Sequence, residues 1–173
     1  NKDLTFKNTT KNWGLDSKVN SNGSAYADLD NDGDLDLVVN NQEKKASVYK
    51  NNSKNNFVTF ELKGSEKNNF GIGAKITVYA NELKQSKTHF VSRGYQSSIG
   101  NKLHFGLDNQ HKIDSIIINW NTTTSQKITN LEINKTHTLD YKNAVERKGE
   151  SNLEKVLMKK IYPANIGIDY QQK

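Results

Sequence analysis

The sequence predicts an all-β protein built from short strands. Short runs rich in Val, Ile, Thr, Tyr and Phe recur along most of the chain, bounded by Asn, Asp, Ser or Gly. Proline occurs only once, at Pro163, so the turns depend on Gly and on Asn. Strands of about six residues with a turn about every 8–12 residues are typical of a β-sandwich, a β-barrel or propeller blades.

The predicted strands begin with three short, partly alternating runs at 24–29, 35–40 and 46–51. The later runs lie at 57–64, 74–81, 87–94, 102–107, 114–120, 126–131 and 135–141. Alternation is clearest at 57–62, where Phe57, Thr59 and Glu61 share the face opposite to Val58, Phe60 and Leu62. This alternation predicts a core that contains Val58, Phe60, Leu62, Ile76, Val78, Phe105, Ile116, Ile118 and Leu131.

The composition excludes several kinds of chemistry. The 173 residues include 25 Lys and Arg against 19 Asp and Glu, but the basic residues are scattered, which argues against nucleic-acid binding. The absence of cysteine excludes disulfides, thiolate zinc sites and cysteine nucleophiles. No apolar run approaches the roughly 18 residues of a membrane helix, and no signal segment opens the chain. Because residue 1 is Asn, we expect a piece of a longer protein.

The stretch DLDNDGDLD at 28–36 concentrates five aspartates in a chain that is otherwise basic. Counted from Asp28, carboxylates occupy positions 1, 3, 5, 7 and 9, and Gly33 occupies position 6. Ca²⁺ prefers about six to eight hard oxygen ligands, and alternating carboxylates on a curled loop provide them. Glycine permits the sharp turn that bends the later ligands back to the ion. The spacing therefore predicts a calcium site rather than a solvated acidic turn.

The calcium loop differs from an EF-hand, which starts in the same way but needs a Glu at position 12 and flanking helices. Position 12 is Val39, which lies in a predicted strand, so the expected site is a strand–loop–strand site. We expect a structural ion, because no acid–base pair is recognisable nearby. Its expected ligands are the carboxylates of Asp28, Asp30, Asp32 and Asp36 and the backbone carbonyl of Asp34.

The stretch GSAYADLDNDGDLDLVVNN resembles an FG-GAP or VCBS repeat, the calcium-loop blade of integrin-like β-propellers. The resemblance covers about residues 23–52. It implies a β-propeller-like blade, and it assigns the same five aspartates to the ion.

The next part of the chain resembles the ASPIC/UnbV domain, which typically follows such repeats. The matching pieces are NNFGIGAKITVY (68–79), SRGYQSS (92–98), LHFGLD (103–108) and IDSIIINWNTTTSQKI (113–128), in family order across about 57–141. The chain departs from the family at 120–123, where Trp-Asn-Thr-Thr replaces Trp-Pro-x-Gly. The two resemblances imply a fragment of a large exported protein, of the kind common in Bacteroidetes outer membranes.

The expected fold is therefore a propeller-like blade followed by an antiparallel β-sandwich. The expected division is a calcium-loop repeat at 1–52, a sandwich at 53–141, and a linker with the start of a further repeat at 142–173. The charged segment 143–161 lacks a strong apolar stripe and is typical of a helix or linker. Residues 153–173 echo the opening of the chain, because both end in Gly, an aliphatic residue and Asp.

The histidines give no sign of a catalytic or zinc site. They lie singly, without zinc-site spacing, at His89, His104, His111 and His137. We expect His104 to be packed or on the surface, because it lies in a predicted strand. No G-x-S-x-G motif supports a nucleophile.

Three aromatic residues are candidates for stacking on sugars, namely Trp13, Tyr95 and Trp120. We expect Trp120 in the core instead, because it ends an Ile-rich run. The pair Gly71 and Gly73 predicts a tight turn rather than a phosphate loop, because the third glycine of that motif is missing.

The sequence leaves two function classes open. The first is a non-enzymatic, calcium-stabilised binding or scaffold module of a secreted or cell-surface protein. The second is a glycan-binding accessory module of a polysaccharide-utilisation system, or part of a larger enzyme. We expect calcium as the cofactor, a protein or glycan ligand, neighbouring repeats of the same chain, and an extracellular or outer-membrane location. A hydrolase in its own right would need paired carboxylates about 5–9.5 Å apart in a cleft.

Overall fold

The computed structural model describes residues 5–147, Tyr162 and Asn165, and this part of the chain is all-β. The described residues contain no α-helix and therefore no helix able to span a membrane. The strands are β1 (Ser21–Ala27), β2 (Asp36–Asn41), β3 (Ser47–Tyr49), β4 (Asn56–Lys63), β5 (Lys75–Ala80), β6 (Leu83–Thr88), β7 (Lys102–Asp108), β8 (Ser115–Asn119), β9 (Thr124–Ile128), β10 (Thr136–Asp140) and β11 (Val145–Glu146). The predicted all-β class is confirmed.

The first three strands form a separate antiparallel sheet in the order β1-β2-β3. The predicted calcium loop connects β1 to β2. None of the side chains of this sheet belongs to the hydrophobic core cluster, and the buried side chains of β2 are the polar Asp36 and Asn41. Hydrophobic burial therefore contributes little to holding this sheet together.

The remaining strands form two sheets, in the orders β10-β4-β7 and β11-β9-β8-β5-β6, that enclose one core. Alternation places one face of each strand inside, as predicted for Val58, Phe60 and Leu62 in β4. The predicted core residues of β5, β7 and β8 are also buried, namely Ile76, Val78, Phe105, Ile116 and Ile118. Leu131 is only partly buried against this core, because it lies after the end of β9, where strand alternation no longer applies.

One strand pairing departs from the antiparallel expectation. Strand β10 pairs parallel to β4, with Thr136 beside Thr59 and Leu139 beside Leu62. The chain leaves β4, passes through both sheets and returns as β10, and a long connection of this kind permits parallel pairing. Strand β4 is therefore the central strand of its sheet.

Most predicted strands differ from the observed ones by a few residues at their ends, and two predicted elements differ more. The run predicted at 87–94 begins earlier and ends at Thr88, where the backbone enters the 89–100 loop. The segment 143–161 does not begin as a helix, because residues 141–143 form one 3-10 turn and residues 145–146 pair with β9 as β11. Residues 148–161 lie outside the described residues.

The outer edges of β6 and β7 meet through side chains. Gln85 Nε2 donates to the Gly106 carbonyl and Lys87 Nζ to the His104 carbonyl, each at 2.5 Å. The Lys87 stem covers the core here, and its ammonium lies 5.2 Å from the centre of the Phe105 ring. Burial lowers the pKa of Lys87. These bonds satisfy carbonyls on the β7 edge that would otherwise be open to another strand.

The first sheet contacts the sandwich through β1. The Ser24 N–H donates to Ser97 Oγ at 3.1 Å, and Ser97 Oγ donates to the Tyr95 carbonyl at 2.7 Å. A Cβ atom at Gly23 would lie 2.9 Å from Ser97 Oγ, so β1 and the 92–98 loop approach closely. This contact places the predicted calcium loop beside the three-stranded sheet of the sandwich.

Candidate metal centre and adjoining cleft

The loop between β1 and β2 is tightly curled. Asn31 and Gly33 have positive φ angles of 60° and 96°, which turn the chain back on itself. The Asp28 carboxylate accepts the N–H groups of Asp32 and Gly33, each at 3.1 Å. These bonds hold the first predicted ligand inside the curl.

Asp36, the last predicted ligand, joins both ends of the region. Its Oδ2 accepts the Leu29 N–H and its Oδ1 accepts the Asn51 N–H, each at 2.9 Å. The residue is only 3% exposed. The carboxylate is thus fixed between the start of the loop and the chain that follows β3.

Three of the five predicted aspartates come together at one point. Asp28, Asp30 and Asp36 each offer one carboxylate oxygen, and these oxygens lie within 4.8 Å of one another. Calcium binds oxygen at about 2.3–2.6 Å, so ligands on opposite sides of one ion lie about 5 Å apart. The spacing of the three oxygens fits a calcium ion.

The other two aspartates lie outside this group of oxygens. Asp32 accepts the Asp34 N–H at 3.2 Å, which continues the curl of the loop. Asp34 is 9% exposed, and neither of its carboxylate oxygens has a hydrogen-bond partner. Desolvation, followed by the negative charge of Asp32, raises the pKa of Asp34, and the nearby Ser53 amide opposes this only in part. The assignment of the Asp34 carbonyl to the ion stays a prediction.

The structure adds one residue that the sequence did not indicate. The Lys50 ammonium bonds to the Asp30 carboxylate and lies 3.7 Å from Asp32 Oδ2. The hydrogen bond from Lys50 lowers the pKa of Asp30, and the same bond raises the pKa of Lys50. The Lys50 ammonium therefore neutralises part of the negative charge of the acidic loop. One lysine among 25 basic residues carries no local signal for this role.

A cleft of about 1290 Å³ separates the acidic loop from the outer face of the β10-β4-β7 sheet. One wall consists of the loop and of residues 50 and 52–55, and the other consists of outward-facing side chains of the three strands. Asp28 and Asp32 are among the residues that line it. The predicted metal loop therefore forms part of a large open cavity.

His104 lies on the sheet side of this cleft. Its Nδ1 is 3.2 Å from Thr59 Oγ1, and its ring stacks on Phe57 with the centroids 5.5 Å apart. Burial and the positive charge of Lys87 lower the pKa of His104 to about 4, against a small opposing effect of Asp28. The ring is consequently neutral at neutral pH and can act as a hydrogen-bond donor or acceptor.

Residues 64–146 match the family described as ASPIC and UnbV. No curated protein matches the chain at a significant level. The matched ASPIC/UnbV residues begin after β4 and end with β11, so they contain most of the sandwich and exclude the acidic loop.

The other three histidines within the matched residues have different surroundings. His89 is 2% exposed and both ring nitrogens lack a hydrogen-bond partner. His111 lies beside the Asn56 amide, and His137 beside the Glu132 carbonyl. Among the described residues, the aspartate group is the only cluster of three His, Cys, Asp or Glu suited to a metal.

The three aromatic residues that the sequence suggested for sugar stacking differ in their exposure. Trp120 is 7% exposed and packs edge-to-face on Tyr141, so it belongs to the core, as expected. Trp13 and Tyr95 are 71% and 65% exposed, but neither lines the large cleft. The glycines Gly71 and Gly73, with φ of 62° and 87°, form the predicted tight turn. The aromatic residues at the cleft are instead Tyr26, Phe57 and Phe70, and none of these was a predicted stacking residue.

Proposed function

We propose that the chain is a non-enzymatic, calcium-stabilised binding or scaffold module of a secreted or cell-surface protein. The observation that carries this proposal is the convergence of Asp28, Asp30 and Asp36 oxygens within 4.8 Å. Backbone N–H groups hold two of these carboxylates before any ion arrives. A preformed set of oxygen ligands suits a bound ion that stabilises the fold.

The role of the ion follows from the packing of the first sheet. This sheet contributes no side chain to the core cluster, so its stability depends on polar contacts. Calcium would cancel the repulsion between carboxylates and join the start of the loop to β2. An ion that binds only the folded state adds about 2.7 kcal/mol of stability at 100 times its dissociation constant.

The blade assignment belongs to the same proposal. A strand–loop–strand calcium site within a three-stranded antiparallel sheet supports an FG-GAP-type repeat at residues 23–52. A single blade needs neighbours to cover its faces. The partially exposed apolar side chains of this sheet, such as Val48 at 64%, suit contacts with further repeats of the same chain.

Calorimetry tests the calcium site directly. Protein stripped with EDTA should release or absorb heat on titration with Ca²⁺, with one site per chain. Asp30→Ala should weaken this binding strongly, whereas Asp16→Ala, an exposed aspartate outside the loop, should leave it unchanged. Thermal unfolding should move to lower temperature in EDTA for the wild type and for Asp16→Ala, and much less for Asp30→Ala. No calcium heat together with no effect of EDTA on unfolding would contradict the proposal.

The non-enzymatic part needs a separate measurement. Glycoside, ester and peptide substrates should show no turnover with the fragment in the presence of calcium. Turnover that disappears on substitution of a residue outside the acidic loop would make the protein an enzyme and overturn this part of the proposal.

A further inference from the structure

The outer face of the β10-β4-β7 sheet carries two rows of polar side chains in register. Thr136, Thr59 and His104 lie side by side across the three strands, and Thr138, Glu61 and Lys102 form the next row. All six residues line the cleft. Neighbouring strands lie about 4.8 Å apart, so the rows form a regular grid of hydrogen-bonding groups.

The grid is neutral overall. Glu61 and Lys102 pair at 3.5 Å, which leaves no excess charge in the second row. His104 is uncharged at neutral pH because its pKa is lowered to about 4. At the rim of the cleft, Lys50 pairs with Asp30 and Lys135 with Glu132. The groups that face the cavity floor are therefore hydroxyls, an imidazole and a balanced ion pair.

Aromatic rings lie beyond both ends of the grid. Phe57 precedes the first row on β4 and stacks on His104. Phe70 is 57% exposed and lines the cleft near the end of β4, where the adjacent Gly71 lies against Leu62. A combination of aromatic surfaces with a few oriented polar groups is typical of ligand sites.

The opposite wall continues the polar lining. It contributes amide side chains from Asn31, Asn52 and Asn55. The volume of about 1290 Å³ exceeds the roughly 300–1,000 Å³ of most small-molecule pockets. The cavity thus has room for several linked units, each with its own polar contacts.

We propose that this cleft binds a neutral oligosaccharide, with its hydroxyl groups on the two polar rows and an apolar sugar face on the exposed ring of Phe70. This inference rests on the proposed function and names the ligand class of the binding module. Sugar hydroxyls both donate and accept hydrogen bonds, as threonine hydroxyls and a neutral imidazole do. An acidic chain would meet the carboxylates of Asp28 and Asp32 on the opposite wall, and Lys102 in the second row is already paired with Glu61.

Oligosaccharide binding by threonine variants tests the proposal. Neutral gluco-, manno- and xylo-oligosaccharides are screened on an array beside uronic-acid oligomers and unrelated peptides, and hits are measured by calorimetry. Thr136→Val with Thr138→Val removes two exposed hydroxyls and keeps the β-branched shape, so the fold is retained. Thr122→Val, an exposed threonine outside the cleft, is the matched control.

The proposal expects binding of at least one neutral series by the wild type. The double variant should bind this oligosaccharide at least about tenfold more weakly, because the loss of two hydrogen bonds reduces affinity by about that factor. Its calcium binding, measured by calorimetry, should be unchanged. No neutral binding, a preference for uronic acids or peptides, or equal binding by the double variant would overturn the proposal. Normal calcium binding without sugar binding would refute only the cleft inference. Sugar binding without calcium heat would refute only the calcium proposal.

Discussion

The ring of Phe57 lies directly against Gly33. A Cβ atom at Gly33 would come within 2.0 Å of Phe57 Cε1, closer than any real contact permits. Gly33 also has a φ of 96°, which non-glycine residues rarely adopt. One glycine therefore serves two purposes, because it turns the acidic loop and leaves room for a ring from the sandwich.

Gly33→Ala should destabilise the protein by about 2–4 kcal/mol, since it combines backbone strain with an overlap against the ring. Gly73→Ala is the matched control, because its φ of 87° is similar but no atom lies within 4 Å of an added Cβ. Urea unfolding of both variants measures the difference. Equal destabilisation would show that Phe57 does not press on the loop.

Lys50→Gln should increase calcium affinity, because the Lys50 ammonium competes with the ion for Asp30 and Asp32. An exposed ion pair is worth little, so we expect a gain of about two- to fivefold at low salt. Lys54→Gln removes the same charge from the cleft wall without a contact to these carboxylates, and it serves as the control. Calorimetric titration gives both affinities. An equal gain in the two variants would assign the effect to general electrostatics.

Ile118→Ala should lower the free energy of unfolding by about 2–5 kcal/mol, because the side chain is fully buried between the two sheets. Ile117→Ala on the same strand should cost less, since its side chain points to the opposite face and is half-buried. Denaturant titration compares the two free energies. The sandwich core would be misplaced if the order of the two effects were reversed.

The free energy of unfolding should decrease as the pH is lowered from 6.5 to about 4, because of the shifted pKa of His104. The unfolded ring binds a proton below its ordinary pKa of 6.5, whereas the folded ring stays neutral down to about 4. The unfolded state thus holds more protons in this window, so the His104 contribution is complete above pH 6.5 and is lost toward pH 4. The contribution of His104 to the free energy of unfolding is at most about 3 kcal/mol, and it is smaller because solvent screens a half-buried ring.

His104→Asn isolates this contribution. Its unfolding free energy should depend less on pH than that of the wild type between pH 6.5 and 4, because the other titrating groups are shared. An NMR titration of the His104 ring measures the pKa itself. A value near 6.5 would contradict the prediction.

The core residues could be predicted from the sequence because side chains alternate between the two faces of each strand. This alternation placed Val58, Phe60 and Leu62 inside because these residues obey the two-residue repeat of a half-buried strand. The parallel β4–β10 pairing joins residues 77 positions apart, such as Thr59 and Thr136, and no local pattern encodes it. The aspartate spacing likewise predicted the loop, whereas the approach of Lys50 depends on how β3 ends beside it.

The central position of β4 limits where the chain can be cut. A fragment with the borders of the family match, 64–146, would begin one residue after Lys63 and lack this strand entirely. It would leave a gap where Val58 and Phe60, both at 0% exposure, fill the core, and β7 and β10 would lose their shared partner. We expect autonomous folding only from fragments that begin at or before Asn56.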